Sequence, residues 1–441
     1  MRSAELFYGV MLLSFVYSIL KFRKSVFYIF IILLFYDGMF AYAGVEIWNI
    51  YKILLPLFAF YCFIKHGVPF RISGIEKLII LSFLLFSISF LFSSYLNGDY
   101  FNITFSQYSK YLNLLLTFFI LKKIEVNSDS FEKVERLIFS LLIIQIILTV
   151  IKFYVWGLRE SVVGSINFTG GATATVLPVL GFIFIWLKRR GNLKNKDWLF
   201  VILLMFIGFV SLKRAVWFIM PVVIFLFSFY VSKRVIPKIF LLAIPLIPLI
   251  FYFGVRLNPT LNKEGKTWGS YDLDFVINYT KDYTFGIEKG RQKKGYGRGG
   301  ATILLVDNLV NKNLDNNALF GYGLTKMYTT DYEQFNDLNL GISMKGSAAG
   351  IFQSYVTDGY IGLFSTLLFS ISLLMYVKDR RMRIALMIIF FWEYLFYTGI
   401  ILRSQALSFL FIYIIVFSDQ YINKASQNAE LSQIILEEKG S

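Results

Sequence analysis

The chain consists largely of apolar runs, about 15 to 20 residues long, that are separated by short charged segments. A helix needs about 20 apolar residues to cross a bilayer. Several runs are shorter than that, so we expect twelve to fourteen transmembrane helices in an all-α polytopic membrane protein. Thirteen candidate spans lie at 6–20, 26–43, 51–64, 78–96, 108–121, 137–156, 172–187, 198–212, 214–231, 238–254, 359–377, 384–402 and 405–418.

Composition excludes several other classes of protein. Charged residues make up 16% of the 441 residues, against roughly 25% in an average soluble domain. The single cysteine, Cys62, cannot form an internal disulfide. With one histidine, His66, it offers no zinc or haem site, so we expect no metal and no cofactor. The formal net charge of +16 is explained first by membrane topology, and we expect no nucleic-acid partner.

The distribution of lysine and arginine predicts the orientation, because basic short loops stay in the cytoplasm. The short loops predicted to lie outside the cytoplasm carry eight basic residues in total. This count leaves out the long segment 255–347, because the rule does not cover long segments. The N-terminus and segment 255–347 are therefore predicted to lie outside. The alternate segments predicted to be cytoplasmic carry 22 basic residues, at 21–25, 65–77, 122–136, 188–196, 233–238 and 378–383.

The topology divides the chain into four parts. We predict an N-terminal transmembrane bundle over 1–254, a large extracytoplasmic loop with short helices over 255–347, transmembrane helices over 348–422, and a cytoplasmic tail over 423–441. Within the loop, the apolar residues of 301–314 have helical spacing. This helix either lies on the membrane surface or covers a small core of the loop.

Cations at the outer ends of spans need an anion or water, since charge near the hydrocarbon is costly. They are Arg159, Lys213, Arg214 and Arg403. Segment 289–298 adds five cations with no acid among them: Lys289, Arg291, Lys293, Lys294 and Arg298. Concentrated guanidinium groups suit a multiply charged anion such as a lipid diphosphate. The alternative is attraction to the phosphates of membrane lipids.

Two acids, Asp37 and Glu393, lie inside apolar runs. An intramembrane carboxylate indicates a functional site, a partner for an arginine, or a proton-coupling group of a transporter. All three interpretations stay open at this point.

Four short motifs resemble the bacterial O-antigen polymerase and O-antigen ligase superfamily, in that family's order. Arg159 is followed by Gly164 and Asn167, and Ser211–Trp217 is similar to the family's turn with a catalytic arginine, here Arg214. The other matches are Arg298 ahead of Phe320-Gly321-Tyr322-Gly323, and Gln353 ahead of Gly359-Tyr360-Ile361-Gly362.

One departure favours the polymerase over the ligase. Ligases carry a His-Asn pair before the glutamine, and this chain has Ala348-Ala349 there. The only histidine, His66, falls in a predicted cytoplasmic loop. A mechanism that depends on an outer histidine is therefore not open to this chain.

The resemblance implies a metal-independent glycosyltransferase in the bacterial inner membrane, with its active site facing the periplasm. It would join oligosaccharide repeat units carried on undecaprenyl diphosphate, beside membrane lipids and in some systems a chain-length regulator. Arg214 and Arg298 would stabilise the leaving diphosphate, and Asp358 or Glu393 would be the base. Diphosphate or glycan would be bound by Arg159, Arg291, Lys213, Gln353 and Arg403.

Three other functions fit parts of the sequence. An O-antigen ligase would join the same donor to lipid A core, although the expected histidine is missing. A flippase for lipid-linked oligosaccharides would have a similar number of spans and a cationic cavity, but no need of a 90-residue outer loop. A structural scaffold would not need cations at outer helix ends.

The topology can be tested with single cysteines in a Cys62→Ser background. We expect Asn278→Cys to react with an impermeant thiol reagent applied to intact cells with a permeabilised outer membrane. Asn192→Cys should stay unlabelled, because 188–196 is predicted to be cytoplasmic. Labelling of both positions from the same side would contradict the topology.

Overall fold

The computed structural model describes residues 25–42, 44, 55–57, 59–60, 72–125, 128–158, 161–167, 170–189, 191–211, 213–231, 251–256, 261–266, 268–285, 306, 316–325 and 349–418. About 82% of these residues are helical, and no strand occurs among them. The predicted helical class is confirmed. Segment 289–298, most of 301–314, His66, Cys62 and the tail 423–441 lie outside the described residues.

Most of the helices follow the apolar runs of the sequence, and two short ones lie within segment 255–347. They are α1 (Ser25–Tyr42), α2 (Gly74–Leu96), α3 (Phe101–Glu125), α4 (Ser128–Tyr154), α5 (Gly171–Lys188), α6 (Asn195–Val210), α7 (Arg214–Phe225, continued by a π-helical turn Leu226–Val231), α8 (Leu273–Phe285), α9 (Asn316–Phe320), α10 (Gly350–Leu374), α11 (Arg380–Phe396), α12 (Ile400–Arg403) and α13 (Gln405–Ser418).

Four helices are long and apolar enough to cross a membrane by length and composition. They are Gly74–Leu96, Glu132–Tyr154, Gly171–Lys188 and Gly350–Leu374. The predicted total of twelve to fourteen spans stays a prediction. One predicted run is interrupted, since α11 ends at Phe396 and the chain resumes as α12 after Gly399, whose φ is 66°. The run 384–402 is therefore two helices rather than one.

The centre of the bundle is α5, in which every residue from Thr173 to Leu187 is buried. Elsewhere in the bundle, α2 and α10 pack closely through small hydroxyl residues, with the Ser82 and Ser372 Oγ atoms 2.8 Å apart. Within a membrane the hydrophobic effect does not drive helices together, because lipid tails are as apolar as the side chains. Small side chains instead let two helix backbones approach closely and pack. The opposite face of α2 exposes Leu84, Ile88 and Leu91, as expected of a surface that faces lipid.

One end of the bundle, here called the basic end, holds paired cations. Lys122 pairs with Glu76, and Lys188 Nζ lies 3.4 Å from the Glu135 carboxylate. The Arg189 and Asp197 side chains are 2.8 Å apart. Glu76 also forms the capping box that starts α2. These residues belong to the loops that the sequence predicts to be cytoplasmic.

The other end, here called the cavity end, contains the start of α10 and the turn that follows α9. Gly359 interrupts α10 with φ 68° and ψ −167°, a conformation that is essentially restricted to glycine. The break lets the Gly321 turn dock, and the Tyr322 amide donates to the Val356 carbonyl at 2.7 Å. The Asp99 carboxylate accepts from two further amides of this segment, at 2.9 and 2.7 Å. The two glycine motifs of the sequence thus form one packing contact.

Replacing Gly359 should destabilise the fold. A Cβ there would overlap the Leu319 carbonyl, and the backbone conformation itself would cost about 1–3 kcal/mol. We expect Gly359→Ala to lower the thermal unfolding midpoint of the purified protein more than Gly157→Ala does. Gly157 is the matched control, because its φ is 66° but nothing lies within 4 Å of the point that a Cβ would occupy. Equal shifts for the two variants would mean that the docked turn does not contribute to stability.

Candidate functional site

A polar cavity of about 320 Å³ opens at the cavity end. Four parts of the chain form it: α1, α3, the loop 161–167, and the segment from α12 to the start of α13. Polar or charged side chains outnumber apolar ones in the wall. The lining residues are Leu34, Asp37, Ser106, Lys110, Ile166, Asn167, Ile400, Arg403, Ser404, Gln405 and Ala406.

Three charged residues line this cavity: Asp37, Lys110 and Arg403. Lys110 Nζ donates to Gln107 Oε1 at 2.9 Å on its own helix. Arg403 Nη1 donates to the Thr398 carbonyl at 3.5 Å. Two cations and one acid give the wall a net positive charge, which favours an anionic ligand.

The segment that carries Arg403 is held by Glu393. The Glu393 carboxylate is fully buried and accepts from the Ile400 amide at 2.6 Å, the Ile401 amide at 3.4 Å and Thr398 Oγ1 at 3.4 Å. A carboxylate at a helix start satisfies amides that have no partner within the helix. In this structure Glu393 therefore fixes the direction in which α12 enters the cavity wall.

The loop on the opposite wall is held by Lys152, which is 1% exposed. Its ammonium donates to the carbonyls of Val163 at 3.0 Å, Gly164 at 2.6 Å and Asn167 at 3.0 Å. Because an ammonium has three donors, these bonds use all of them. The same loop is fixed by Gln145, whose Oε1 accepts from the Ser165 amide at 2.6 Å. Asn167 is thus presented to the cavity by two buried polar side chains.

Lys213 lies close to this site on the adjoining helix ends. A Cβ built on Gly171 would be 2.9 Å from Lys213 Nζ. The Gly171 carbonyl also accepts from the Tyr397 hydroxyl at 3.3 Å, and Tyr397 precedes the Thr398 carbonyl that binds Arg403. Arg214 begins α7 directly after Lys213, but its side chain lies outside the described residues.

Two predicted site residues are buried in α10 rather than placed in the cavity wall. Gln353 is 2% exposed and Asp358 is 4% exposed. Thr357 Oγ1 donates to Asp358 Oδ2 at 2.9 Å, whereas Oδ1 has no hydrogen-bond partner among the described residues. The Asp358 side chain packs so closely against Gly362 that a Cβ on that glycine would overlap it. Asp358 is therefore buried within α10 and does not line the cavity.

The structure brings Arg403, Asp37, Asn167 and Lys213 to one region of the cavity end. Arg159, Arg291 and Arg298 lie outside the described residues, so the shared site of Arg214 and Arg298 stays a prediction. Sequence reasoning missed the cavity residues Lys110 and Gln405, and also the supporting residues Lys152 and Gln145. The two lysines could have been found from the sequence, because each lies inside an apolar run, 108–121 or 137–156. An intramembrane charge indicates a function or a partner.

Comparison with known proteins adds no family to this description. No protein-family model matches the chain, and no curated protein matches it.

We expect Lys152→Met to destabilise the protein. The variant keeps the length of the side chain but leaves three buried carbonyls without their donor, and a buried acceptor left unsatisfied costs about 1–3 kcal/mol. The thermal unfolding midpoint should fall, while Lys77→Met, at an exposed position, should leave it nearly unchanged. An unchanged midpoint for Lys152→Met would show that the loop 161–167 does not depend on the ammonium.

Proposed function

We propose that this chain is a glycosyltransferase of the bacterial inner membrane that polymerises undecaprenyl-diphosphate-linked oligosaccharide repeat units on the periplasmic face. The observation that carries the proposal is the cavity lined by Lys110, Arg403 and Asp37 at the end of the bundle opposite the ion-paired basic end. A cationic cavity among apolar helices suits a ligand with an anionic headgroup and a lipid tail. The resemblance of the sequence motifs supplies the substrate class.

The cations would act on the leaving group. In the transfer, a hydroxyl of the acceptor repeat unit forms a glycosidic bond to the first sugar of the growing glycan as the bond from that sugar to the lipid diphosphate breaks. Negative charge therefore collects on the leaving diphosphate. Arg403 offers two parallel donors to phosphate oxygens, and Lys110 adds a point charge. Preorganised donors of this kind are effective in a site with little water. Arg214 and Arg298 would join them, with Lys213, Arg159 and Arg291 close to the bound glycan.

The acid best placed to activate the acceptor hydroxyl is Asp37. It lines the cavity directly, and a general base must reach the proton that it removes. Glu393 instead accepts two backbone amides that hold α12. Asp358 lies inside the packing of α10. The proposal therefore assigns the base role to Asp37 and a positioning role to Glu393.

The side of the membrane on which the cavity opens is inferred from the distribution of charge. The basic end contains Lys122, Lys188 and Arg189, and short basic loops are retained in the cytoplasm. The cavity would then open to the periplasm, where lipid-linked repeat units are joined. Twelve to fourteen spans are part of this proposal.

We expect Arg403→Ala to lose roughly 10²–10³ in the rate of polymerisation, as for other preorganised donors to a developing anion. Arg403→Lys should retain part of the rate, because it keeps one charge and loses the paired donors. The measurement is the length of product formed by the purified protein in proteoliposomes from a lipid-diphosphate-linked repeat unit. The surface polysaccharide of complemented cells should correspondingly show single repeat units.

Arg136→Ala is the control, since Arg136 is exposed near the basic end. Full-length polymer from Arg403→Ala at normal protein level would contradict the role of the cavity. If the wild-type protein instead transfers glycan to lipid A core, the enzyme is a ligase. If it moves the lipid-linked unit across the bilayer without joining units, it is a flippase.

A further inference from the structure

A group of aromatic rings lies apart from the cavity, in the part of 251–285 that the structure describes. We call Tyr252, Phe253, Trp268 and Tyr271 the aromatic cluster. The Phe253 and Trp268 centroids are 5.8 Å apart and the Tyr252 and Tyr271 centroids are 5.1 Å apart. All four side chains are between about one third and one half exposed, with Trp268 at 49%. This is a large aromatic surface that the described part of the fold does not cover.

Arg256 contacts one ring of each pair in the cluster. Its Cζ lies 4.8 Å from the Trp268 ring centroid and 5.5 Å from that of Tyr252. Its Nε donates to the Gly269 carbonyl at 2.9 Å, and its Nη1 donates to the Tyr252 hydroxyl at 2.9 Å. Trp268 has φ 66°, which residues with side chains rarely adopt. The fold thus maintains an unfavourable backbone conformation that keeps the indole at the surface.

The cluster continues the lipid-facing surface of α7. That surface is a stripe of exposed apolar side chains at helical spacing, Phe218, Val222, Phe225 and Phe229. At one end of the stripe the Phe218 ring lies 6.0 Å from the Phe251 ring, which lies 6.3 Å from the Tyr271 ring. Phe218 is only four residues after the start of α7, about one helical turn. The cluster therefore lies where α7 emerges at the cavity end.

The described residues between 251 and 285 carry four cations and four acids, so their charges balance: Arg256, Lys263, Lys266 and Lys281 against Glu264, Asp272, Asp274 and Asp282. Lys263 pairs with Asp272, and Lys266 Nζ lies 2.8 Å from Glu264. The hydrogen bond from Lys263 lowers the pKa of Asp272 and raises that of Lys263. Both groups stay charged across neutral pH, so the Lys263–Asp272 pair persists there. Attraction to anionic lipid is then a minor contribution to what the surface binds.

We propose that the aromatic cluster binds the lipid–water interface of the bilayer at the cavity end, and seats the described residues of 251–279 on the membrane surface. Indole and phenol rings prefer this depth, because they are apolar with one polar atom that can reach water. The continuity with the α7 stripe favours lipid over a soluble glycan as the occupant. The inference requires membrane embedding only, and does not depend on the proposed enzymatic function.

The test is tryptophan fluorescence of the full chain in nanodiscs that contain lipids brominated at one depth. Subtracting the spectrum of Trp268→Phe from that of the wild type isolates the Trp268 emission, and the phenyl ring preserves contacts with Phe253 and Arg256. We expect strong quenching by lipid brominated close to the headgroup and weaker quenching by lipid brominated at the chain end. The fraction of anionic lipid should have little effect. Trp186→Phe is the control, because Trp186 is 5% exposed within the bundle and its emission should not be quenched.

Tyr271→Trp in the Trp268→Phe background gives a second measurement from another ring of the cluster. Quenching of both probes by headgroup-proximal bromine supports the proposal. Quenching of both probes by aqueous iodide, with none by brominated lipid, would overturn it. A change in emission on adding soluble oligosaccharide, without lipid quenching, would overturn it in favour of a glycan surface.

Discussion

The arrangement of the cavity depends on how two buried charges are satisfied. An isolated charge in an apolar bundle is too costly to keep, so it must be surrounded by hydrogen bonds. The Lys152 ammonium meets three carbonyls of one loop, and the Glu393 carboxylate meets two amides at the start of α12. Each charge thereby fixes an irregular stretch of backbone at membrane depth. Such stretches are tolerated where protein surrounds them or where they line a cavity.

The two ends of the bundle use cations differently. At the basic end the cations pair with acids on neighbouring helices, which holds the helices together and agrees with retention in the cytoplasm. At the cavity end Lys110 and Arg403 line an open space of about 320 Å³. This asymmetry supports the assignment of the site to one side of the membrane. It also separates the ion-paired residues of the basic end from the charged residues that line the cavity.

The glycines of the two motifs that resemble the superfamily have a packing role in this structure. Gly321 and Gly359 lie against each other, and the Tyr322 amide donates to the Val356 carbonyl between them. A side chain at either glycine would collide with backbone. Their physical role in this structure is to let a turn of the segment predicted to be extracytoplasmic dock on α10. Motif glycines of this kind report a close approach of two backbones, and they carry no chemistry of their own.

The pattern of apolar residues was enough to predict the helical class and the approximate position of most described helices, because a long apolar run has few other stable structures. It also identified Arg403, Asp37 and Lys213 as candidates, because a charged residue inside or at the end of an apolar run can be recognised without knowing how the helices pack. Tertiary structure alone decided which of these residues meet. The break between α11 and α12, the capping role of Glu393 and the burial of Asp358 depend on contacts with elements that are distant in the chain. Lys110 and Lys152 are both lysines inside apolar runs, yet one lines the cavity and the other is saturated by carbonyls. That difference arises from packing, which no local pattern in the sequence encodes.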